Sequence, residues 1–424
     1  MSAALSPRKV LARKIGLGIA AVMLGLTAAA VSAPAPAGAA PMRPQEDPFY
    51  QPPSGFEASA PGAVLASRPV ALNFPVAAQA WQLLYRTTDL NNQPDATVTT
   101  VILPDNAAPD RPLLSVQMYH DAAGVDCSPS YRYQAGAVPE PSAMSQIPQM
   151  TDALARGWAV SVPDFQGRYG HFAAAAEPGY MILDGVRAAE QFAPLGLSPQ
   201  TRVGMYGWSG GGLVTGWAAQ LQPTYAPELA IAGATYAAPA TDAASVVQVN
   251  NAGPLSGIPT NAIASLYGTY PEFADMLRPY LKPGAEAVLA HNRGHCLTES
   301  LLENSHRDVS EYLTQPVDQV IATPQIAAFL SRLSPDDTAP PIPMFIYQAD
   351  GDTNIPPTET DAYVEKLCAA GTPITYQKQR GGDHISTGLL AIGPAYDWLQ
   401  QRFPANAPTP AGCTTQSIDA PLPR

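Results

Sequence analysis

The chain has 424 residues, 46% of them apolar and 14% charged, with 33 Gly and 46 Pro; this suffices for one large or two ordinary domains and excludes wholesale disorder. Against 35 acidic residues stand 23 basic ones, a formal charge of −12. No basic surface is left to neutralise phosphates, which argues against nucleic acid as a partner and favours a neutral or apolar substrate.

At the start, Arg8, Lys9, Arg13 and Lys14 precede an apolar run from Ile15 to Val31 and a small-residue stretch, Ala37-Gly38-Ala39, the pattern of an export signal. Pro34 and Pro41 disfavour cleavage directly before them, so the cut is expected after Ala39, giving a signal peptide over 1–39 and a secreted or cell-envelope protein. Its removal takes away four basic residues and no acidic one, for a mature charge of −16. The competing reading is an uncleaved anchor, since Ile15 to Ala33 is just long enough to span a bilayer. No later segment has that length and apolarity, so no transmembrane span is expected once the signal is removed.

Residues 40–62 are rich in Pro and turn formers and read as an irregular segment lying on a domain. After it, short apolar runs at Ala80 to Tyr85, Thr97 to Leu103, Leu113 to Tyr119 and Ala159 to Pro163 read as strands. Ile182 to Phe192 and Leu213 to Gln220 read as helices, and Val203 to Gly207, Met344 to Gln348 and Ile374 to Gln379 continue the strand pattern. The expected body, over 63–240 and 322–403, is α/β, with a mostly parallel central sheet and helices on both faces. From 241 to 321 no convincing strand is seen. Two stripes at helical spacing, Ile263, Leu266, Tyr267, Tyr270 and Phe273, Met276, Leu277, Tyr280, mark a helical insertion. Most of these residues are expected to be core; as a cap, the insertion would line an acyl-binding cleft with its apolar underside.

All four cysteines, Cys127, Cys296, Cys368 and Cys413, lie beyond the signal, and an even count in an oxidising compartment favours two disulfides. Three pairings are open. Cys368 with Cys413 would pin the Pro-rich tail (404–424), a closure contributing roughly 4 kcal/mol in the chain-entropy picture, and leaves Cys127 with Cys296.

Chemistry concentrates in Arg202-Val-Gly-Met-Tyr-Gly-Trp-Ser-Gly-Gly-Gly212, where Gly207, Ser209 and Gly211 form GxSxG between a strand and a helix. Such a turn exposes the Ser hydroxyl, and a Cβ two residues to either side would crowd the strand against the helix. A serine needs a base in reach and a carboxylate to orient that base. His384, in Asp383-His384 after the strand Ile374 to Gln379, is the only His beyond Ser209 that follows an expected sheet strand. Asp350 and Asp352 both follow the strand Met344 to Gln348, and spacing alone does not separate them. Asp383 reads as a solvated loop residue. The backbone N–H of Gly210 is placed by construction to receive an oxyanion, and Asp121, after the strand at Leu113, is the candidate for a second donor. His291 and His295, at i and i+4, have metal-ligand spacing, but Asn292 to Gly294 reads as a loop and Cys296 is committed to a disulfide, so no metal site is expected. His120 and His171 are as consistent with satisfied structural residues as with any other role.

These blocks together resemble the secretory lipases of the yeast lipase A type, α/β-hydrolases with a helical cap (lid). The resemblance spans nearly the whole mature chain: Asp47-Pro-Phe-Tyr50 with Pro53, Gly62-Ala-Val-Leu65 with Ser67-Arg68, Gln117 through Asp121, Pro163-Asp-Phe-Gln-Gly167, Leu183-Asp-Gly-Val-Arg-Ala-Ala189, Gly207-Trp-Ser-Gly-Gly211 and Asp352-Thr-Asn-Ile-Pro356. It implies Ser209 as nucleophile, His384 as base, Asp352 as the acid, Asp121 with Gly210 at the oxyanion hole, and the two disulfides above. The implied activity is hydrolysis of carboxylic esters, triacylglycerols foremost, through an acyl-enzyme, with no cofactor. The partner would be an acyl ester or lipid, met at a lipid–water interface. The alternatives are a short-chain esterase, an acyltransferase, or a non-catalytic lipid- or wall-binding protein on the same fold. Two departures stand out. Trp208 precedes the nucleophile where Tyr is common, and Arg168 follows Gly167 where an apolar residue is usual; an Arg near the cleft would narrow or polarise acyl binding.

Overall fold

The computed structural model describes residues 40–335 and 338–419. The signal expected over 1–39 and the last five residues of the tail lie outside the described residues.

The described strands form one sheet: β1 (Val64–Pro69), β2 (Ala78–Thr88), β3 (Pro94–Pro104), β4 (Leu113–Gln117), β5 (Ala159–Pro163), β6 (Val203–Trp208), β7 (Ile231–Ala237), β8 (Met344–Ala349), β9 (Ile374–Arg380) and β10 (Cys413–Asp419). Their order is β1-β2-β3-β5-β4-β6-β7-β8-β9-β10. The pairings from β1 to β5 are antiparallel, and those from β5 to β10 are parallel. The sheet is therefore mixed, with an antiparallel N-terminal edge beside the expected parallel body. In β4, β5, β6 and β8 every residue is buried, as a parallel strand covered on both faces requires.

Helices before the long insertion are α1 (Pro129–Arg132), α2 (Pro141–Met144), α3 (Ile147–Ala155), α4 (Glu177–Gln191) and α5 (Gly210–Tyr225). Between β7 and β8 the chain folds into α6 (Ala243–Asn250), α7 (Gly257–Thr269), α8 (Pro271–Leu277), α9 (Ala285–Asn292), α10 (Leu297–Asn304), α11 (Val317–Ile321) and α12 (Pro324–Ser331). α13 (Pro357–Ala370), α14 (His384–Leu390) and α15 (Ile392–Gln400) complete the body. One sheet face packs on α4, α5 and α13 through Ile182, Val186, Ala218 and Val364. The other packs on α3 and α15 through Met150, Leu154, Ala395 and Leu399.

The two expected stripes fall on α7 and α8 except for their last residues, Tyr270 between the helices and Tyr280 in the turn after α8; Pro271, at the first position of α8, ends one helix and starts the next. Ile263, Leu266, Phe273 and Leu277 join a third apolar cluster. The helical run continues past residue 321 into α12, whose Ile326, Phe329 and Leu330 pack into that same cluster. Two disulfides are formed, Cys127–Cys296 and Cys368–Cys413. The first ties the segment after β4 to the residue before α10. The second holds β10, so within the Pro-rich tail Cys413–Asp419 form a paired edge strand.

The segment over 40–62 lies on the body through specific contacts. Asp47 meets the Arg68 guanidinium at 2.7 Å, that guanidinium sits 4.2 Å from the centre of the Phe49 ring, and the Tyr50 hydroxyl bonds Ser130 Oγ at 2.9 Å. A cation on an aromatic face and a charge-assisted bond account for the pairing of the Asp47 and Arg68 blocks in sequence.

Candidate active site

Ser209 follows β6 and precedes α5, with φ 57°, an uncommon conformation for a residue with a side chain. The glycines around it are sterically forced. A Cβ on Gly207 would overlap the Gly211 carbonyl, and one on Gly211 would overlap the Gln117 carbonyl of β4. Only glycine lets strand and helix approach this closely, and the serine is lifted onto the end of the sheet.

Asp352 sits in the turn after β8. Its Oδ1 accepts the backbone N–H groups of Asn354 and Ile355, each at 2.9 Å, and its Oδ2 accepts Gln348 Nε2 at 3.0 Å. Such an Asx-type turn fixes the carboxylate before any partner arrives. His384 opens α14, directly after the capping residue Asp383. Its Nδ1 lies 2.7 Å from Asp352 Oδ2 and its Nε2 lies 3.0 Å from Ser209 Oγ. Since an ionised carboxylate only accepts, Nδ1 carries the proton and Nε2 offers its lone pair to the serine hydroxyl. The geometry separates the two acids: Asp352 is buried against His384, while Asp350 is exposed. Asp383 is exposed too, and accepts from Ser386 N at 2.7 Å, which holds its carboxyl below the usual range.

Trp208 packs against His384, ring centres 5.4 Å apart and planes tilted by 39°, and a Cβ on Gly388 would overlap the indole, so Gly388 lets α14 settle on that ring. The Trp departure thus places a broad apolar surface under the imidazole. Asp121 is buried with φ 39° and lies against Gly210, where any Cβ would meet its carboxyl. Burial pushes the Asp121 carboxyl up to about 7, opposed by the charge of His384. Two residues that sequence reasoning missed support the site. Gln348, the last inward polar residue of an apolar strand, is pinned by Thr360 Oγ1 at 3.0 Å and holds Asp352. Asn261, fully buried on α7, donates Nδ2 to the Asp121 carbonyl at 3.1 Å; nothing in the helical sequence around it signals that role.

A cavity of about 230 Å³ is lined by Ser209, His384, Asp121 and Gly210. Phe165, Trp208 and Val214 contribute from the body, and Ile263, Leu266 and Phe273 from the helical segment. His171 lines it as well, with Nδ1 held at 2.8 Å by Glu177, and His120 is buried beside Phe165, where desolvation lowers its pKa to about 4. Arg168 corrects an expectation. It pairs with Asp95 at 2.7 Å, stacks on Tyr169 and is not among the residues lining this cavity, so it does not polarise the cleft.

Fold and array together define an α/β-hydrolase of the carboxylic ester hydrolase class. The chain belongs to the secretory lipase family, whose model matches residues 144–411. It is similar, at 37% identity over 374 residues (86% of this chain, 83% of the relative), to a Mycobacterium tuberculosis protein named "Probable inactive lipase MT1628". At 32% over 372 residues (85% and 81%) it is similar to a secreted triacylglycerol lipase of Malassezia globosa. Among solved structures, Candida antarctica lipase A superposes with a TM-score of 0.82 at 29% identity, covering 90% of this chain and 91% of the other. No helix among the described residues is long and apolar enough to cross a membrane.

Proposed function

We propose that the chain is a secreted serine hydrolase of carboxylic esters, triacylglycerols among them, working through an acyl-enzyme. The observation that carries this reading is the unbroken contact from Asp352 through His384 to Ser209 on the wall of an apolar cavity. Ser209 Oγ attacks the ester carbonyl as its proton passes to His384 Nε2, and Asp352 holds the resulting imidazolium. The carbonyl oxygen, now an oxyanion, takes the backbone N–H groups of Gly210 and Asp121. His384 returns the proton to the departing alcohol, then deprotonates the water that releases the acid and restores Ser209.

The apolar lining supports an acyl chain as the bound group, with the helical segment acting as cap, and the name of the Malassezia relative supports a glyceride ester. Export is supported by the basic and apolar leader and by the two disulfides. The Mycobacterium relative is named inactive; what supports activity here is that nucleophile, base and acid are all in contact.

The test is covalent. An organophosphonate incubated with the disulfide-bonded mature protein is expected to label the peptide bearing Ser209 at one equivalent, read by mass spectrometry. An unlabelled Ser209 would overturn the serine-hydrolase reading in favour of a lipid-binding protein. Rate against acyl length, on micellar and monomeric esters, then decides the substrate: activity confined to short monomeric esters would replace lipase by esterase.

A further inference from the structure

Away from the catalytic array, three potential ligands converge where α9 meets α10. His291 lies in the last turn of α9, His295 follows the turn at Arg293 and Gly294, and Glu303 lies near the end of α10. His291 Nε2 is 3.1 and 3.2 Å from the two Glu303 oxygens, His295 Nδ1 is 3.7 Å from Oε2, and the three ligand atoms lie within 4.8 Å of one another. The two rings meet edge to face with centres 4.4 Å apart. His295 Nδ1 is closed off from solvent, and among the described residues it has no hydrogen-bond partner. An imidazole nitrogen in that position, aimed at a carboxylate but too far for a good bond, leaves a buried polar atom unsatisfied.

We infer that His291, His295 and Glu303 form a binding site for a divalent transition metal of the zinc type, with structural rather than catalytic use. Two neutral imidazoles and one carboxylate are a ligand set this ion takes, with a water completing four-coordination. Donors around a tetrahedral zinc stand about 3.3 Å apart; to the single oxygen Glu303 Oε2 the His291 and His295 nitrogens stand 3.2 and 3.7 Å away, and all three donors lie within 4.8 Å, so a small closure of the side chains reaches that spacing. The side chains of His291 and Glu303 are 58% and 41% exposed, which gives the ion an entry path and the last donors freedom to close.

The support beneath the ligands is rigid. Asn292, next to His291, accepts from Asn304 Nδ2, next to Glu303, at 2.7 Å, and both asparagines are buried. Cys296, next to His295, is fixed by its disulfide to Cys127 and donates its backbone N–H to Glu299 at 3.1 Å. Ligands whose neighbours are locked in this way lose little freedom on binding. The proposal departs from the expectation that the intervening loop and the disulfide leave no metal site: the loop is a two-residue turn, and the disulfide fixes the neighbour of His295. The consequence reaches the cavity, because Leu297 and Leu301 of α10 line it. A metal joining α9 to α10 would stiffen that wall.

The experiment uses the mature protein stripped of metal, titrated calorimetrically with zinc chloride in a non-chelating buffer, with cobalt(II) as an optical probe of tetrahedral coordination. One equivalent is expected to bind and to raise the unfolding midpoint. His295→Ala and Glu303→Gln should each weaken binding by about tenfold or more and abolish the midpoint shift. His306→Ala and His384→Ala, which leave the three ligands intact, should bind as the parent does. Glu303→Gln nearly preserves the side-chain shape, so circular dichroism separates a lost ligand from a lost fold. Failure of the parent to bind one equivalent, or binding by both ligand variants as tight as the parent's, would overturn the site while leaving the hydrolase reading intact.

Discussion

The sheet body and the helical segment between β7 and β8 both bury apolar side chains, yet they place polar groups differently around the cavity. In the body, Ser209 and Asp352 stand in short turns directly beyond β6 and β8, and His384 opens α14 just past β9, each position anchored by a parallel ladder and local hydrogen bonds. The helical segment supplies apolar wall from Ile263, Leu266 and Phe273, and reaches the array through the Asn261 amide on Asp121. Groups that must meet within a few tenths of an ångström lie on strand ends, where neighbouring strands limit displacement. Groups that only shape a volume lie on helices, where packing tolerates substitution.

The sharpest way to break this contrast is to remove the hydroxyl. Ser209→Ala should lower kcat by roughly 10⁵-fold, with the unfolding midpoint nearly unchanged, because no hydrogen bond that holds the fold is lost; a large fall in both would make Ser209 a structural residue. Next comes the acid. Asp352→Asn should cost about 10⁴-fold in kcat by disturbing the imidazole tautomer, whereas Asp350→Asn, on an exposed carboxyl, should leave kcat unchanged. A larger loss from Asp350→Asn would reverse the assignment.

Asp121 tests the desolvation that the helical segment imposes on the body. Its folded pKa, about 7, lies above the ordinary 3.8, so the stability linked to its proton is fully present below about pH 4 and is lost as pH rises through 7. Asp121→Asn removes that titration. Relative to the parent, the variant should therefore gain stability from pH 4 to 7, up to a ceiling of about 4 kcal/mol, measured by denaturant unfolding at several pH values. Asp164 and Glu359, whose carboxyls burial also pushes up to about 7, titrate in both proteins and cancel in the difference. A difference that stays flat with pH would mean that Asp121 is solvated despite its position.

What was legible in sequence follows from the same physics. The run Ala159 to Pro163 matches β5 end to end, because a strand buried on both faces must be apolar throughout. β7 and β10 carry no such signal. β7 is built largely of small residues, with Gly233 placed where a Cβ would meet Trp398, and β10 is largely exposed and held by its ladder and a disulfide. At the site, GxSxG could be read because sterics demand its glycines. Spacing alone could not choose between Asp350 and Asp352, because both follow one strand in one turn; the family resemblance points to Asp352, whose inward hydrogen bonds set it apart in the structure. Asn261 was illegible for a further reason: α7 also holds Thr260, Ser265 and Thr269, and a polar residue among them reads the same whether it faces water or a backbone carbonyl.

Asn261 also gives the finest test of the contrast. Its Nδ2 pairs with the carbonyl of Asp121, a residue held at φ 39° whose own N–H is assigned to the oxyanion. Asn261→Leu keeps the volume and leaves that carbonyl without this partner, a cost of about 1 to 3 kcal/mol. Part of that cost would appear as reorientation of the Asp121 peptide, so kcat should fall about tenfold while KM changes little. Ile263→Ala, two residues along the same helix and lining the cavity, should do the opposite, moving KM and acyl-length preference while kcat holds. If Asn261→Leu shifted KM alone, the helical segment would act on substrate fit only, and the amide would have no part in holding the oxyanion donor.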